Sequence, residues 1–166
     1  MNGDSVLIRR ASTSDAPAIT AIYNEAVANS VATFDTEAKT IDDRMSWLES
    51  HDDRHPVVVA DSGGEVVGWA ALTAWSDRAA YRGTGETTLY IDAAHRGQRI
   101  GTMLLEALTV IAREQDFHTL IARITDGGDA SIRLHKAQGF ELIGTLKEVG
   151  FKFDRYLDVH VYQKML

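Results

Sequence analysis

Apolar and polar positions in the first half of the chain follow the periods of strands and helices. Residues 6–10 alternate in the manner of a strand, and Pro17 predicts that a helix begins just before it. The apolar positions of that helix fall on one face, at Ile19, Ile22, Tyr23, Ala26 and Val27. Thr40 predicts the cap of a shorter helix, and a turn at residues 61–64 predicts a hairpin between two apolar runs.

The second half of the chain alternates strands with helices. A strand over residues 87–91 precedes a helix with one apolar stripe, formed by Leu104, Leu105, Leu108, Ile111 and Ala112. The β-branched run at 119–124 is typical of a buried strand. A helix over 130–138 follows, and Gly139 predicts its end.

Two last strands are expected at residues 140–145 and 157–165. Antiparallel strands early in the chain and a β-α-β-α-β order later predict an α/β fold of the mixed α+β kind. We expect a twisted mixed β-sheet that is largely antiparallel in its N-terminal half, with helices on both faces. The 166 residues fit one domain, 1–166, large enough for a core without disulfides.

Composition and charge exclude several function classes. The chain has no cysteine, which excludes disulfides, thiolate zinc sites and a cysteine nucleophile. Its net charge of −7, from 17 basic and 24 acidic residues, weighs against nucleic-acid and anionic-membrane partners. It has no basic leader followed by an apolar segment and no apolar run of membrane-spanning length, so we expect a cytoplasmic protein.

The strongest functional signal is the loop over residues 92–101, which leads from a predicted strand into a helix. Arg96 and Arg99 supply positive charge, while Gly97 and Gly101 allow backbone and ligand to approach closely. Unpaired amides and the positive end of the dipole lie at a helix start, so this loop suits a phosphate or pyrophosphate. The alternative is an ordinary strand-to-helix connection with a solvated arginine pair.

Two well-known phosphate loops do not fit these residues. A P-loop requires Lys followed by Ser or Thr after its last glycine, whereas Gly101 leads into Thr102 and Met103. A dinucleotide fingerprint requires three glycines at fixed spacing, and only Gly97 and Gly101 are present.

The loop instead resembles the acyl-CoA pyrophosphate loop of the GNAT acetyltransferases. In that pattern Gln or Arg, two variable residues, Gly, one variable residue, and Gly or Ala precede a helix. Arg96 takes the first position and Gly101 the last, while Arg99 replaces the middle glycine. The segments 8–11 and 129–140 resemble the first strand and the second signature of the same superfamily.

A narrower resemblance, to the phosphinothricin and methionine-sulfoximine acetyltransferases, spans nearly the whole chain. The residues that carry it are Thr33-Phe34, Ala74-Trp75, Arg78, Tyr81, Glu86 to Tyr90, Ser131 to His135, Gly150-Phe151-Lys152 and Asp158. The departures are Gly83 for an aromatic residue, Gly128 for asparagine, Asp154 for glycine and Tyr156 for tryptophan. The resemblance implies N-acetylation of the α-amino group of a small amino acid or analogue, with acetyl-CoA as co-substrate, and it implies a homodimer.

The resemblance also implies which residues form the sites. Acetyl-CoA would contact Leu89, Tyr90, Ile91, Arg96, Gly97, Gln98, Arg99, Ile100, Gly101, Thr102 and Ser131. A backbone N–H of a splayed central strand would stabilise the oxyanion. Glu86 matches the proposed base of the family, although a Glu at a strand start is usually a solvated charge. His135 is the second acid or base candidate, and its alternative role is that of a half-buried structural histidine.

Phe34, Arg78, Tyr81 and Tyr90 match positions that line the amino-acid pocket of the family. There, Arg78 would hold a carboxylate or phosphinate by paired hydrogen bonds. The aromatic residues could equally belong to the core, and Arg78 could form a surface pair with Asp77.

We assign no metal site, because the histidines at 51 and 55 lie in a polar loop and the others are dispersed. The enzymatic rival is N-terminal acetylation of a protein, which requires an open groove. A rival of another class is a CoA-binding sensor without chemistry, suggested by the departures at Arg99 and Gly128.

Overall fold

The computed structural model describes residues 5–166 and arranges their strands in one seven-stranded sheet. The strands are β1 (Val6–Arg10), β2 (Val57–Ser62), β3 (Glu65–Ala74), β4 (Thr84–Ile91), β5 (Thr119–Thr125), β6 (Glu141–Lys152) and β7 (Arg155–Met165). Their order across the sheet is β1-β2-β3-β4-β5-β7-β6, and only β4 and β5 pair in parallel. The expected mixed sheet with a largely antiparallel N-terminal half is confirmed.

Helices cover both faces of the sheet, as expected. They are α1 (Ala16–Asn29), α2 (Ile41–Glu49), α3 (Ile100–Glu114) and α4 (Asp129–Ala137). On one face, Ile19 of α1 and Trp47 of α2 pack around the buried Trp69. On the other face, Leu104 of α3 lies in the main core and Leu134 of α4 packs against it. Within the described residues no helix combines the length and apolar character that crossing a membrane requires.

Local signals fix the helix ends. The Oγ1 of Thr40 accepts a hydrogen bond from the Asp43 amide at 3.1 Å, and the Asp43 carboxylate accepts one from the Thr40 amide at 3.0 Å. This capping box starts α2 at the predicted place. Gly139 has φ +83°, so it ends α4 in the left-handed conformation that glycine adopts without penalty. Helix α1 begins at Ala16, directly after a 3-10 turn over Thr13–Asp15.

Strand β6 continues to Lys152, and the sequence-based end of this strand was therefore wrong. The pairing of β6 with β7 shifts register between Leu146 and Gly150. Within the shift, the Asp158 carboxylate accepts a hydrogen bond from the Glu148 amide at 2.8 Å. A bulged strand loses its alternating pattern, which is why the sequence period failed to detect the second half of β6.

Strands β4 and β5 separate soon after they meet. Thr84–Glu86 pairs with Thr119–Ile121, and the parallel pairing ends there. Strand β4 continues to Ile91 and remains paired with β3 on its other side. The backbone edge of β4 beyond Glu86 therefore has no strand partner, and a gap opens between the two central strands.

Candidate active site

The start of α3 presents unpaired backbone amides to the preceding loop. Helix α3 begins at Ile100, and no side chain caps it. The amides of Ile100, Gly101 and Thr102 have no acceptor within the helix, because the first intrahelical acceptor, the Arg99 carbonyl, bonds to Met103 at 3.1 Å. Three free amides and the positive end of the helix dipole make a site for an anion.

Gly97 and Gly101 of this loop are glycines for different structural reasons. Gly97 has φ +77° and open space around it, so it supplies a turn. Gly101 has no unusual backbone, but an added Cβ would lie 2.9 Å from Leu134 Cδ2 and 3.1 Å from Ile91 Cδ1. Gly101 therefore allows α3 to pack closely on α4 and β4. Arg99, at the position where the GNAT pattern has glycine, adopts φ +64° and ψ 8°, a left-handed conformation that disfavours an L side chain.

The two loop arginines differ in their availability for an anion. Arg96 forms an ion pair with Glu25 of α1, with Nη2 2.9 Å from Oε2. Among the side chains of residues 5–166, Arg99 has no ion-pair partner within 4 Å. Arg99 is thus the arginine whose guanidinium is free to meet a phosphate, while Arg96 ties the loop to α1.

The start of α4 also lacks a side-chain cap. Gly128 occupies the cap position, and an added Cβ would lie 2.9 Å from both Ile124 Cγ2 and the Thr125 carbonyl. An asparagine side chain, usual at this position in the resembled family, would not fit without a shift of β5. Ser131 follows in the first turn and holds its hydroxyl 3.3 Å from His135 Nδ1.

Glu86 lies on β4 where the two central strands separate. Its carboxylate is bound by Arg123 of β5 at two points, with Nε 2.6 Å from Oε1 and Nη2 3.0 Å from Oε2. The Glu86 side chain is 14% exposed and the Arg123 side chain 54% exposed, so the pair opens toward solvent on the arginine side. Glu86 is therefore not the solvated strand-edge charge of the alternative interpretation.

His135 is deeply buried, with 3% of its surface exposed. Its Nδ1 lies 2.8 Å from the Ser131 carbonyl, which can only accept, so Nδ1 carries the proton and Nε2 is the free basic nitrogen. Burial lowers the pKa of His135 below 6.5, while the bond to Ser131 opposes this effect. The neutral ring, packed edge-on against Phe140, is suited to accept a proton through Nε2.

Glu86 and His135 lie on opposite faces of the sheet. Glu86 shares its face with Tyr90, which packs 5.1 Å from Trp69 on the α1 side. His135 packs against Phe140, which belongs to the core on the α3 side. The two candidates can therefore reach one reacting centre only through the gap between β4 and β5.

The loop between α1 and α2 crosses the same gap on the α1 side. Tyr90 Oη donates to the Ala32 carbonyl at 3.1 Å, and Lys152 Nζ donates to the Thr33 carbonyl at 2.9 Å. The ring of Phe34 lies against Gly150, where an added Cβ would overlap it. Burial raises the pKa of Tyr90, so its hydroxyl remains a donor at neutral pH. These contacts hold the predicted pocket residues Phe34 and Tyr90 on one side of the gap.

Arg78 and Tyr81 lie in the connection between β3 and β4, at a short 3-10 turn over Ala79–Tyr81. Both side chains are exposed, and Tyr81 retains 43% of its surface. Arg78 forms no ion pair with Asp77 in the described residues, contrary to the surface-pair alternative. This connection leads directly into the strand that carries Glu86.

Sequence reasoning missed two residues of this region. Arg123 is the one exposed residue in β5, whose other six positions are buried, and an isolated charge in a β-branched run was the available signal. Lys152 was noted only as part of a family motif, yet it is 5% exposed and anchors the loop that carries Phe34. No group of three or more His, Asp or Glu side chains suited to a metal ion occurs within residues 5–166.

Comparisons with known proteins agree with this fold. The model of the acetyltransferase (GNAT) domain family matches residues 8–161. The L-methionine sulfoximine/L-methionine sulfone acetyltransferase of Pseudomonas aeruginosa is 39% identical over 161 residues, covering 96% of this chain and 94% of the relative. A crystal structure of a GNAT phosphinothricin acetyltransferase from Sinorhizobium meliloti in complex with acetyl-CoA is 36% identical with a TM-score of 0.91, covering 97% and 88% of the two chains.

A third similar protein bears a name of another substrate class. The crystal structure of a ribosomal-protein-alanine N-acetyltransferase from Brucella melitensis is 44% identical with a TM-score of 0.93, covering 96% of this chain and 99% of that one. The gap between β4 and β5 and the free amides at the start of α3 fit an acyl-CoA-dependent transferase. The chain belongs to the GNAT acetyltransferase family, and it is an acetyl-CoA-dependent N-acetyltransferase. The resemblance inferred from the sequence is confirmed.

Proposed function

We propose that this protein acetylates the α-amino group of a small amino acid or analogue, of the phosphinothricin or methionine sulfoximine type. The observation that carries the proposal is the carboxylate of Glu86, held at the point where β4 and β5 separate. A carboxylate there lies beside the unpaired edge of β4, so a base and an oxyanion donor border the same gap. Relatives that bear the names of amino-acid acetyltransferases support the substrate class.

The loop and the starts of α3 and α4 would hold acetyl-CoA. The amides of Ile100, Gly101 and Thr102 would bind the pyrophosphate, with Arg99 adding charge from the side. Ser131 would contribute a hydroxyl from α4. When bound there, acetyl-CoA supplies the activated acetyl group, and the free edge of β4 at residues 89–91 offers backbone amides to the developing oxyanion.

Glu86 would accept the ammonium proton, directly or through a water. Each of its oxygens takes one hydrogen bond from Arg123, and a carboxylate oxygen can accept two, so both retain room for a further donor. His135 would act as the second acid or base on the opposite face through Nε2. Phe34, Arg78, Tyr81 and Tyr90 would line the amino-acid site, with Arg78 pairing to an acidic group of the substrate.

N-terminal acetylation of a protein is the second candidate, because the Brucella melitensis structure carries that name. Such a reaction requires a groove of peptide length. The loop over Ser30–Asp35 crosses the gap and is tied down by Lys152 and Tyr90, which favours a short substrate.

A panel assay with the Glu86→Gln variant tests the proposal. Free CoA release is measured with acetyl-CoA and phosphinothricin, methionine sulfoximine, methionine sulfone and an alanine-led peptide. At neutral pH, the variant should turn over the amino acids about a hundred- to ten-thousandfold more slowly than wild type. The loss should shrink at high pH, where free amine is abundant, and Glu114→Gln at the exposed end of α3 should change nothing.

The other outcomes of this assay are decisive as well. Turnover of the peptide alone would establish the second candidate. Wild-type kcat in Glu86→Gln would move the base to His135, for which His135→Ala is the next variant. A wild-type protein that binds acetyl-CoA and acetylates no amine would be the sensor anticipated from the sequence.

We also propose that the protein is a single-domain, cytoplasmic homodimer. Strand β6 is an edge of the sheet and exposes large apolar side chains, namely Leu142, Ile143, Leu146, Val149 and Phe151, each about half exposed. A long apolar edge strand is prone to pair with a second copy. Light scattering should give twice the chain mass, and Leu146→Glu should give a monomer; a monomeric wild type would refute the dimer.

A cytoplasmic location fits the supply of acetyl-CoA, and cell fractionation tests it.

A further inference from the structure

Arg123 uses only part of its hydrogen-bonding capacity on Glu86. A guanidinium has five N–H donors in one plane, and the contacts to Glu86 employ one on Nε and one on Nη2. The three remaining donors, on Nη1 and Nη2, have no acceptor among residues 5–166, and the side chain is 54% exposed. The edge formed by Nη1 and Nη2 is therefore open. In proteins, this edge of an arginine commonly binds a carboxylate through two parallel hydrogen bonds.

Arg123 lies at the point where the two central strands separate. Pairing of β4 with β5 ends at Ile121, two residues before Arg123, so the side chain reaches across the point where the strands separate. The guanidinium lies 5.8 Å from the ring of Trp75, which borders it on the β3 side. Its surroundings thus place it beside the base candidate and leave its far edge accessible.

We propose that Arg123 binds the α-carboxylate of the amino-acid substrate and so aligns the α-amine with Glu86; the inference rests on the proposed function. A free α-amino acid carries a carboxylate and an ammonium on one carbon. Arg123 and Glu86 present the complementary arrangement, a cation with an open edge next to a partly accessible anion. The zwitterion fits with its carboxylate on Arg123 and its ammonium toward Glu86, which leaves Arg78 for an acidic side chain.

This assignment has a consequence for specificity. A substrate whose α-carboxylate is converted to a carboxamide loses the charge-assisted pair with Arg123 but keeps the reacting amine. Amino-acid amides should therefore be poor substrates. The same holds for peptides with a free N-terminal amine, because their first residue has no free α-carboxylate. Discrimination arises because the open guanidinium edge is left without its anion when an amide binds.

The alternative is that Arg123 merely orients Glu86, and kinetics with paired substrates separate the two roles. Methionine sulfone and methionine sulfone carboxamide are compared in wild type, Arg123→Gln, Arg123→Lys and the control Arg113→Gln, an exposed arginine at the end of α3. For the acid, Arg123→Gln should raise KM by about ten- to a hundredfold. For the carboxamide, KM should stay within about twofold of wild type. The KM of Arg123→Lys for the acid should lie between the KM values of wild type and Arg123→Gln. The KM values of Arg113→Gln should match those of wild type.

Binding measurements keep the inference separate from the proposed function. Calorimetric titration of methionine sulfone into the CoA-bound protein should show the same weakening in Arg123→Gln, whether or not turnover occurs. Binding that depends on Arg123 without acetylation would refute the proposed function and leave the carboxylate site standing. Three results would each overturn the inference. Arg123→Gln could raise KM equally for the acid and the carboxamide, it could leave KM for the acid unchanged, or the wild-type protein could fail to bind the acid.

Discussion

Lys152 of β6 and Thr33 of the α1–α2 loop are joined by a hydrogen bond of 2.9 Å from the lysine Nζ to the threonine carbonyl. The same ammonium donates to the Ser30 carbonyl at 2.8 Å. Lys152 is 5% exposed, and burial lowers its pKa. No carboxylate lies within salt-bridge distance among the described residues, so the Ser30 and Thr33 carbonyls accept the hydrogen bonds of this cation. The contact fixes the loop that carries Phe34 above the gap in the sheet.

Replacement of Lys152 should loosen the proposed substrate site more than the fold. In Lys152→Met, two part-buried carbonyls lose a donor, but the cost of burying an ammonium is also removed, so the free energy of unfolding should fall by about 2 kcal/mol or less. KM for the amino acid should rise about tenfold while the Kd of acetyl-CoA stays unchanged. Steady-state kinetics and calorimetry measure both quantities. Lys136→Met, at an exposed position of α4, is the control, and equal effects in the two variants would contradict this role.

Gly150 and Gly144 provide a matched pair on one strand. An alanine at 150 would place its Cβ inside the ring of Phe34, whereas the corresponding Cβ at 144 has no atom within 4 Å. Gly150→Ala should therefore displace Phe34 and change KM for the amino acid by about tenfold, while Gly144→Ala should be silent. Acetyl-CoA affinity should be the same in both. An unchanged KM in Gly150→Ala, with the variant folded, would show that Phe34 does not contact the substrate.

Local patterns in the sequence were sufficient for most helices and strands, but not for the second half of β6. The capping box at Thr40 and the left-handed Gly139 each arise from interactions within a few residues, so periodicity and turn chemistry predict them. The contacts of Lys152 and Glu86, in contrast, join residues that are far apart in the sequence. Lys152 and Thr33 are 119 residues apart, and Glu86 and Arg123 are 37 apart. Contacts of this range depend on strand order and register, which no local period encodes.

The burial of His135 predicts a specific pH dependence of stability. Its pKa is lowered in the folded protein from 6.5, so the unfolded chain binds a proton more readily between the folded pKa and 6.5. The free energy of unfolding should therefore decline as pH falls below about 6.5, with a slope of at most about 1.4 kcal/mol per pH unit from this group. It should not depend on His135 above pH 7. Urea titrations of wild type and His135→Gln from pH 7.5 to about 5 measure the difference; parallel curves would mean that His135 titrates normally.

Arg99 combines backbone strain with a charge, and two substitutions separate these properties. Its φ of +64° costs an L-residue roughly 1 kcal/mol, a cost that Arg99→Ala retains and Arg99→Gly removes. Glycine adds flexibility to the unfolded chain worth about 0.4 to 1 kcal/mol, so Arg99→Gly should be about as stable as wild type. Both variants lack the guanidinium.

Both should therefore bind acetyl-CoA about tenfold more weakly, with a shallower dependence on salt, if the guanidinium contacts the pyrophosphate. Calorimetry at two salt concentrations measures this. Weakening in Arg99→Ala but not in Arg99→Gly would mean instead that the loop amides need a relaxed left-handed residue before them, and that the charge is dispensable. Wild-type affinity in both variants would show that the anion site at α3 is formed by backbone amides alone.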